Sequence, residues 1–191
     1  MTCIFPIFTL ASIRRMICLL ALTTSSATAQ QLLNGDFEGS FQPVKVQPDT
    51  KATIQGEVAL NWQDESSWAN VSVVYSHDAT GGHAKTSAQK IEVKSITSGA
   101  VQFAQSVQLK AGTYQISAWV RADKPSQGTL LLRQTGAPYS IYGTVSIAAS
   151  TEWTQVSLSG DVTADGYCFV MFIPGAPGTF WLDDVALQAA K

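Results

Sequence analysis

Between residues 113 and 121 the chain reads TYQISAWVR, and its polarity alternates with a period of two. Tyr114, Ile116, Ala118 and Val120 make one apolar row, and Gln115, Ser117, Trp119 and Arg121 make the other. Such spacing predicts a strand with one face in a core. Shorter β-rich stretches recur at 58–62, 71–76, 87–94, 99–108, 128–134, 143–148, 153–159, 167–173 and 180–188. Turn formers separate them, among them Gly81-Gly82, Ala111-Gly112, Pro125 and the PGAPG run at 174–178. A strand is also expected at 32–38, and a long loop over 41–57 with a short strand about Val44 and Val46. No helical period occurs. About ten short β segments in one domain predict an all-β fold, a jelly-roll β-sandwich of two antiparallel sheets.

The first 29 residues read differently. Arg14 and Arg15 precede an apolar run, 16–22, and Ala27-Thr28-Ala29 follows as a small-residue cleavage pattern. The expectation is a signal peptide over 1–29, a domain over 30–191, and a secreted or periplasmic destination. The run is far shorter than the roughly 20 apolar residues of a membrane helix, so no membrane span is expected. Cleavage would leave 162 residues with ten basic and 14 acidic side chains, a net charge near −4. That balance argues against nucleic acid as a partner. It would also leave Cys168 alone, in an apolar strand, where no intramolecular disulfide can form and a buried thiol is expected.

LLNGDFE at 32–38, Trp62, GGHAKTSAQKIEV at 81–93, AGTYQISAWVRA at 111–122, EWTQVSLSG at 152–160 and TFWLDDVAL at 179–187 occur in that order. Together they resemble the four/nine-type carbohydrate-binding modules of secreted polysaccharide-degrading enzymes. The resemblance implies a β-jelly roll, a structural Ca²⁺ ion, and a glycan site across the concave sheet. Such modules are usually appended to a catalytic domain and none is read in this chain, so a separate glycan-degrading enzyme is a candidate partner.

The residues supply their own candidates. A sugar site needs a flat apolar surface for C–H groups and planar polar groups for hydroxyls. Trp119 offers the first, Gln115 and Arg121 the second; the same face is equally readable as a solvated sheet surface with Arg121 paired to Asp123. Arg133, on the next strand, is expected to face the same way as Trp119. Tyr139 and Tyr142, beside Pro138, would wall the cleft, or else pack over a sheet edge. Trp62 and Trp153 are expected in the core, Trp181 in packing, and Trp68, in the polar stretch DESSWAN, exposed as a further ligand contact. The expected ligand is a polysaccharide or oligosaccharide; the alternatives are a structural or adhesion jelly roll that binds protein and, behind it, a small glycan-active hydrolase or lyase whose carboxylates converge from distant strands.

Four carboxylates lie near the two ends of the domain: Asp36 and Glu38, and Asp183 and Asp184. Brought side by side they would repel unless a cation sat among them, and Ca²⁺ takes several oxygen ligands at once. Glu38 and Asp183 are the expected side-chain ligands, with Asp184 giving its carbonyl or facing water. Such an ion would clamp the ends of the domain in place of a disulfide. An enzyme is not expected. Asp64 and Glu65 are adjacent, and on a strand would point to opposite faces, so they cannot straddle one glycosidic bond. His77 and His83 have no third ligand at zinc spacing.

Overall fold

The computed structural model describes residues 32–48, 50–83 and 87–190, so the expected signal peptide lies outside the described residues. Twelve strands occur: β1 (Phe41–Pro43), β2 (Thr53–Ala59), β3 (Gln63–Asp64), β4 (Asn70–Asp78), β5 (Ala88–Ser98), β6 (Phe103–Leu109), β7 (Gly112–Ala122), β8 (Ser126–Gln134), β9 (Ile141–Ala149), β10 (Thr154–Val162), β11 (Gly166–Pro174) and β12 (Gly178–Ala189). They form a seven-stranded sheet in the order β1-β2-β4-β5-β12-β7-β10 and a five-stranded sheet in the order β3-β6-β11-β8-β9. No helix occurs among the described residues, and none there is long and apolar enough to cross a membrane. This is the all-β sandwich expected from the pattern. One pairing departs from it. β2 and β4 run parallel, because the chain between them crosses to the other sheet and pairs there as β3.

The alternation along each strand decides what enters the core. Tyr114, Ile116, Ala118 and Val120 of β7 point inward with Ile91, Val93, Phe180 and Leu182 from neighbouring strands. They meet Phe103, Leu130, Leu132, Val170 and Phe172 from the smaller sheet. Trp62 stacks on Phe103 with ring centroids 5.0 Å apart and on Phe37 at 5.3 Å, so it is a core residue as expected. Cys168 is buried too, and burial pushes its thiol up, away from thiolate chemistry.

The opening segment is not the strand expected at 32–38. Asn34 and Phe37 both take φ of 51°, which turns the chain. The turn seats on β12, whose Val185 N–H donates to Gly35 O at 2.8 Å. A Cβ on residue 35 would lie 2.2 Å from Val185 O, so the close approach requires glycine. The first strand likewise forms at 41–43 rather than around Val44 and Val46.

Candidate functional site

β7 and β8 follow one another in sequence but belong to different sheets, so the single cleft expected from Trp119, Arg121, Arg133 and Tyr139 does not exist. Each outer face has its own chemistry.

On the outer face of the seven-stranded sheet, Gln115, Ser117, Trp119 and Arg121 project as their alternation requires. Arg121 lies opposite Trp181, with its guanidinium 4.1 Å from that ring centroid and 5.3 Å from the ring of Trp153. Lys90 approaches Trp181 at 5.8 Å, and the Trp181 indole N–H donates to Asp78 Oδ2 at 2.7 Å. Burial pushes Asp78 up, but the Trp181 and Thr80 N–H groups and the charges of Arg121 and Lys90 together hold it below its ordinary value. Trp153 therefore belongs to this cation–aromatic row and not to the core. The face of Trp119 is taken as well, by the His83 ring stacked on it at 3.5 Å. Gln115 is exposed, but its neighbours across the ladders are Gln188 and Ser159, with no ring beside it. Arg121 does not pair with Asp123; its Nη2 donates to Gly81 O at 3.4 Å.

The outer face of the five-stranded sheet is built from β11 and its neighbours. Cys168, Val170 and Phe172 go to the core, which sends Tyr167, Phe169, Met171 and Ile173 outward. Leu131 and Ala104 flank Met171, and with Phe169 and Ile173 they make a second apolar cluster separate from the core and itself buried, Met171 being 0% and Leu131 and Phe169 6% exposed. Arg133 stands opposite both Phe169 and Ile141. Its guanidinium carbon is 5.8 Å from the Phe169 ring and 5.4 Å from the Tyr139 ring. Arg133 Nε is buried without a hydrogen-bond partner. Tyr139 is held over it by the β8–β9 hairpin, where the Tyr139 N–H donates to Gly136 O at 2.7 Å and the ring stays 54% exposed. Tyr139 has a φ of 60°, a left-handed backbone that costs a bulky residue about 1–2 kcal/mol. Tyr142 does not wall this face; it is half-buried against the sandwich core.

Ile141 and Tyr167 are exposed on the same side, and Trp68 is exposed near the start of β6, its indole N–H directed at Gln102 Oε1. From Phe169 to Ile173 is four residue steps, about 13 Å of strand. Tyr167, Phe169 and Ile141 escaped the sequence reading. The available signal was the run YCFVMFI, which is apolar on both faces in a fold that needs only one.

The carboxylates near the two ends do converge in part. The Ser87 N–H donates to Glu38 Oε1 at 3.1 Å, and the Ser87 hydroxyl donates to Phe37 O at 2.8 Å. Asp183 is 1% exposed and accepts the His83 N–H on Oδ2 and the Asp184 N–H on Oδ1, each at 2.7 Å. Burial pushes its carboxyl up to about 6; the two N–H bonds oppose this, and the negative charges of Asp184 and Glu38 add to it. Asp184 also meets His83 Nδ1 at 3.4 Å, and Asp36 Oδ1 accepts the Glu38 N–H at 3.5 Å. Among the described residues no three His, Cys, Asp or Glu side chains stand close enough to hold a metal by themselves. The donor set is nonetheless all oxygen, with a buried carboxylate, Asp183, beside the negative charges of Asp184 and Glu38, and that chemistry fits a hard cation whose shell is completed by backbone carbonyls.

No pair of catalytic carboxylates comes from Asp64 and Glu65. Asp64 points into the sandwich, where it accepts the Tyr75 hydroxyl at 2.5 Å and the Ser66 hydroxyl at 2.7 Å.

A family model described as "Carbohydrate binding domain", CBM_4_9, matches residues 29–166. Among solved structures, one described as "CBM4 structure and function" superposes with a TM-score of 0.61 at 20% identity, covering 83% of this chain and 99% of its own. The CBM22-1 xylan-binding domain of Xyn10C from Paenibacillus barcinonensis has a TM-score of 0.55 at 12% identity, covering 74% of this chain and 92% of its own. The family 11 module from Clostridium thermocellum, solved with a β-1,3-1,4-mixed-linked tetrasaccharide, has a TM-score of 0.53 at 15% identity, covering 85% and 96%. No curated protein sequence matches this one.

Proposed function

Because this chain belongs to the CBM_4_9 family of carbohydrate-binding domains, we propose that it is an exported, non-catalytic protein that binds a polysaccharide or oligosaccharide across the outer face of its five-stranded sheet. The observation that carries the reading is the Arg133 guanidinium, which lies between Phe169 and an exposed Tyr139 and has a buried, unpartnered Nε. Planar donors bracketed by rings suit a sugar, whose hydroxyls need hydrogen bonds and whose C–H face needs an apolar surface. Trp68 borders the same sheet near the start of β6. The opposite face suits a ligand less well, since Trp119, Arg121 and Trp181 already engage His83, Gly81 and Asp78.

The neighbours' names mention xylan in one case and a mixed-linked β-glucan fragment in another, so a chain polysaccharide is the ligand to try first. We also propose that Ca²⁺ binds beside Asp183 and Glu38, where it would neutralise the buried carboxylate and join the N-terminal turn to β12. A protein partner is the second reading. It is favoured by Ile141 and Tyr167, large side chains left exposed on the same side.

Affinity electrophoresis through xylan, mixed-linkage glucan, β-1,3-glucan, mannan and alginate gels tests the proposal. The expected result is retardation by at least one glycan, lost in Tyr139→Gly or Trp68→Ala and kept in Gln115→Ala. Loss only in Gln115→Ala would move the site to the other sheet. No retardation in any gel would leave the protein partner, and cleavage of the polysaccharide would overturn the non-catalytic reading.

A further inference from the structure

Two arginines lie within the described residues; both have a buried Nε without a hydrogen-bond partner, and they differ in what meets the rest of the guanidinium. Arg121 has its charge accommodated: Nη2 donates to Gly81 O, the guanidinium carbon lies 4.1 Å from the Trp181 ring centroid, and its field reaches Asp78 strongly enough to help hold that carboxyl down. Arg133 shares the ring contacts but has neither the hydrogen bond nor the nearby carboxyl. Among the described residues it makes no hydrogen bond and no ion pair, and its Nε is buried. The side chains around it on the outer face are Phe169, Tyr139 and Ile141, none of which carries a charge. A guanidinium drawn part-way out of water without an anion is costly, and it becomes favourable when an anion arrives.

The chemistry of that anion follows from the geometry. Rings lie near the guanidinium on two sides, and Nε is withdrawn from solvent, so a ligand reaches the pair of terminal nitrogens. That edge presents parallel N–H donors in one plane, which a planar carboxylate matches with two bonds at once and a single sugar hydroxyl does not. We infer that the glycan taken by the five-stranded face is acidic, carrying a carboxylate-bearing sugar such as a uronate at the position that meets Arg133. The inference rests on the glycan-binding reading above and narrows it to a substrate class. One arginine asks for one acid group within the bound stretch, not one on every sugar. Beside Arg133 the exposed side chains of Ile141 and Tyr167, with Tyr139, offer the surface for the apolar faces of the neighbouring sugars.

The test uses glycans matched except for charge: polygalacturonate against its methyl ester, and glucuronoxylan against its carboxyl-reduced form, with alginate beside them. The wild-type protein is expected to bind at least one acidic member on the order of ten- to a hundredfold more tightly than its neutralised partner, the scale of hydrogen bonds to a charged group. Arg133→Gln keeps planar donors and loses the charge, so it should bind both members of that pair equally and weakly. Arg133→Lys, with charge but no fork, should keep only part of the preference. Equal wild-type affinity for charged and neutral members would overturn the inference while leaving the glycan reading intact. Absence of binding to every glycan, acidic or neutral, would instead remove the reading on which it rests. The wild-type comparison needs no variant, so poor folding of either substitution would not blunt it.

Discussion

Replacing Tyr139 by glycine separates a ring kept for a ligand from a ring kept for the fold. At φ of 60° the tyrosine backbone carries a penalty of about 1–2 kcal/mol that glycine does not. Against this relief stand about 0.5–1 kcal/mol for the extra freedom of glycine in the unfolded chain. A further loss of about 0.5–1 kcal/mol comes from the contact with Arg133, weak because the ring is 54% exposed. The terms nearly cancel. Tyr139→Gly should therefore unfold within about 1 kcal/mol of wild type in urea. Tyr139→Ala, which keeps the backbone penalty and loses the ring, should be less stable than the glycine variant by roughly 1 kcal/mol, or a few degrees in Tm. Both should lose retardation in the glycan gel. A glycine variant several kcal/mol less stable than wild type would refute the reasoning, because the ring would then be holding the hairpin together. Wild-type retardation with normal stability would refute it from the other side and take Tyr139 out of the site.

Three further outcomes follow from buried groups. Asp183 has a carboxyl raised from 3.8 to about 6, and an acid raised in the folded state favours folding while protonated. Metal-free protein should thus lose on the order of 3 kcal/mol from this group as pH rises from about 4 to about 6; Ca²⁺ should flatten that slope and raise Tm, Asp183→Asn should abolish the slope, and a chelator-treated protein without it would refute the account. Tyr75→Phe removes the hydroxyl donated to buried Asp64 and should cost about 1–3 kcal/mol in urea unfolding, with no effect on glycan retardation. Gly35→Ala would place a methyl 2.2 Å from Val185 O, so it should destabilise by roughly 1–3 kcal/mol and weaken the Ca²⁺ response by shifting Glu38; a wild-type Ca²⁺ titration would count against the clamp.

Strands were legible because a half-buried strand writes its own period. The stretch chosen at 113–121 is β7 with one residue more at each end. Partners were not legible, because alternation gives a face and says nothing of who lies alongside. β7 pairs with β12 and β10, not with the β8 that follows it, and that choice is made by core packing across the whole chain. Trp119 and Arg133 were consequently joined in a cleft that two different sheets keep apart. The loop bearing His83 over Trp119 has no period to read at all. Trp62 in the core and Trp68 in solvent were legible from their apolar and polar surroundings, whereas Trp153, just before β10, took its place from Arg121 across the sheet. The approach of Glu38 to Asp183 was legible from charge and position, since acids at the two ends of a sandwich whose terminal segments lie side by side must meet.

The position of β12 also sets an order of events. It lies between β5 and β7, in the interior of the seven-stranded sheet, although it comes after every other strand in the chain. Until it is available, the edges of β5 and β7 have no partner between them, and the N-terminal turn has nothing to seat on. The large sheet is then completed by pairs of distant residues, from Phe180 with Ala122 to Leu182 with Gln89, a late and slow kind of closure. A chain on the proposed export route would benefit, because a leading segment that cannot close its sheet stays thin enough to thread a pore, and the fold completes only after its last strand has come through.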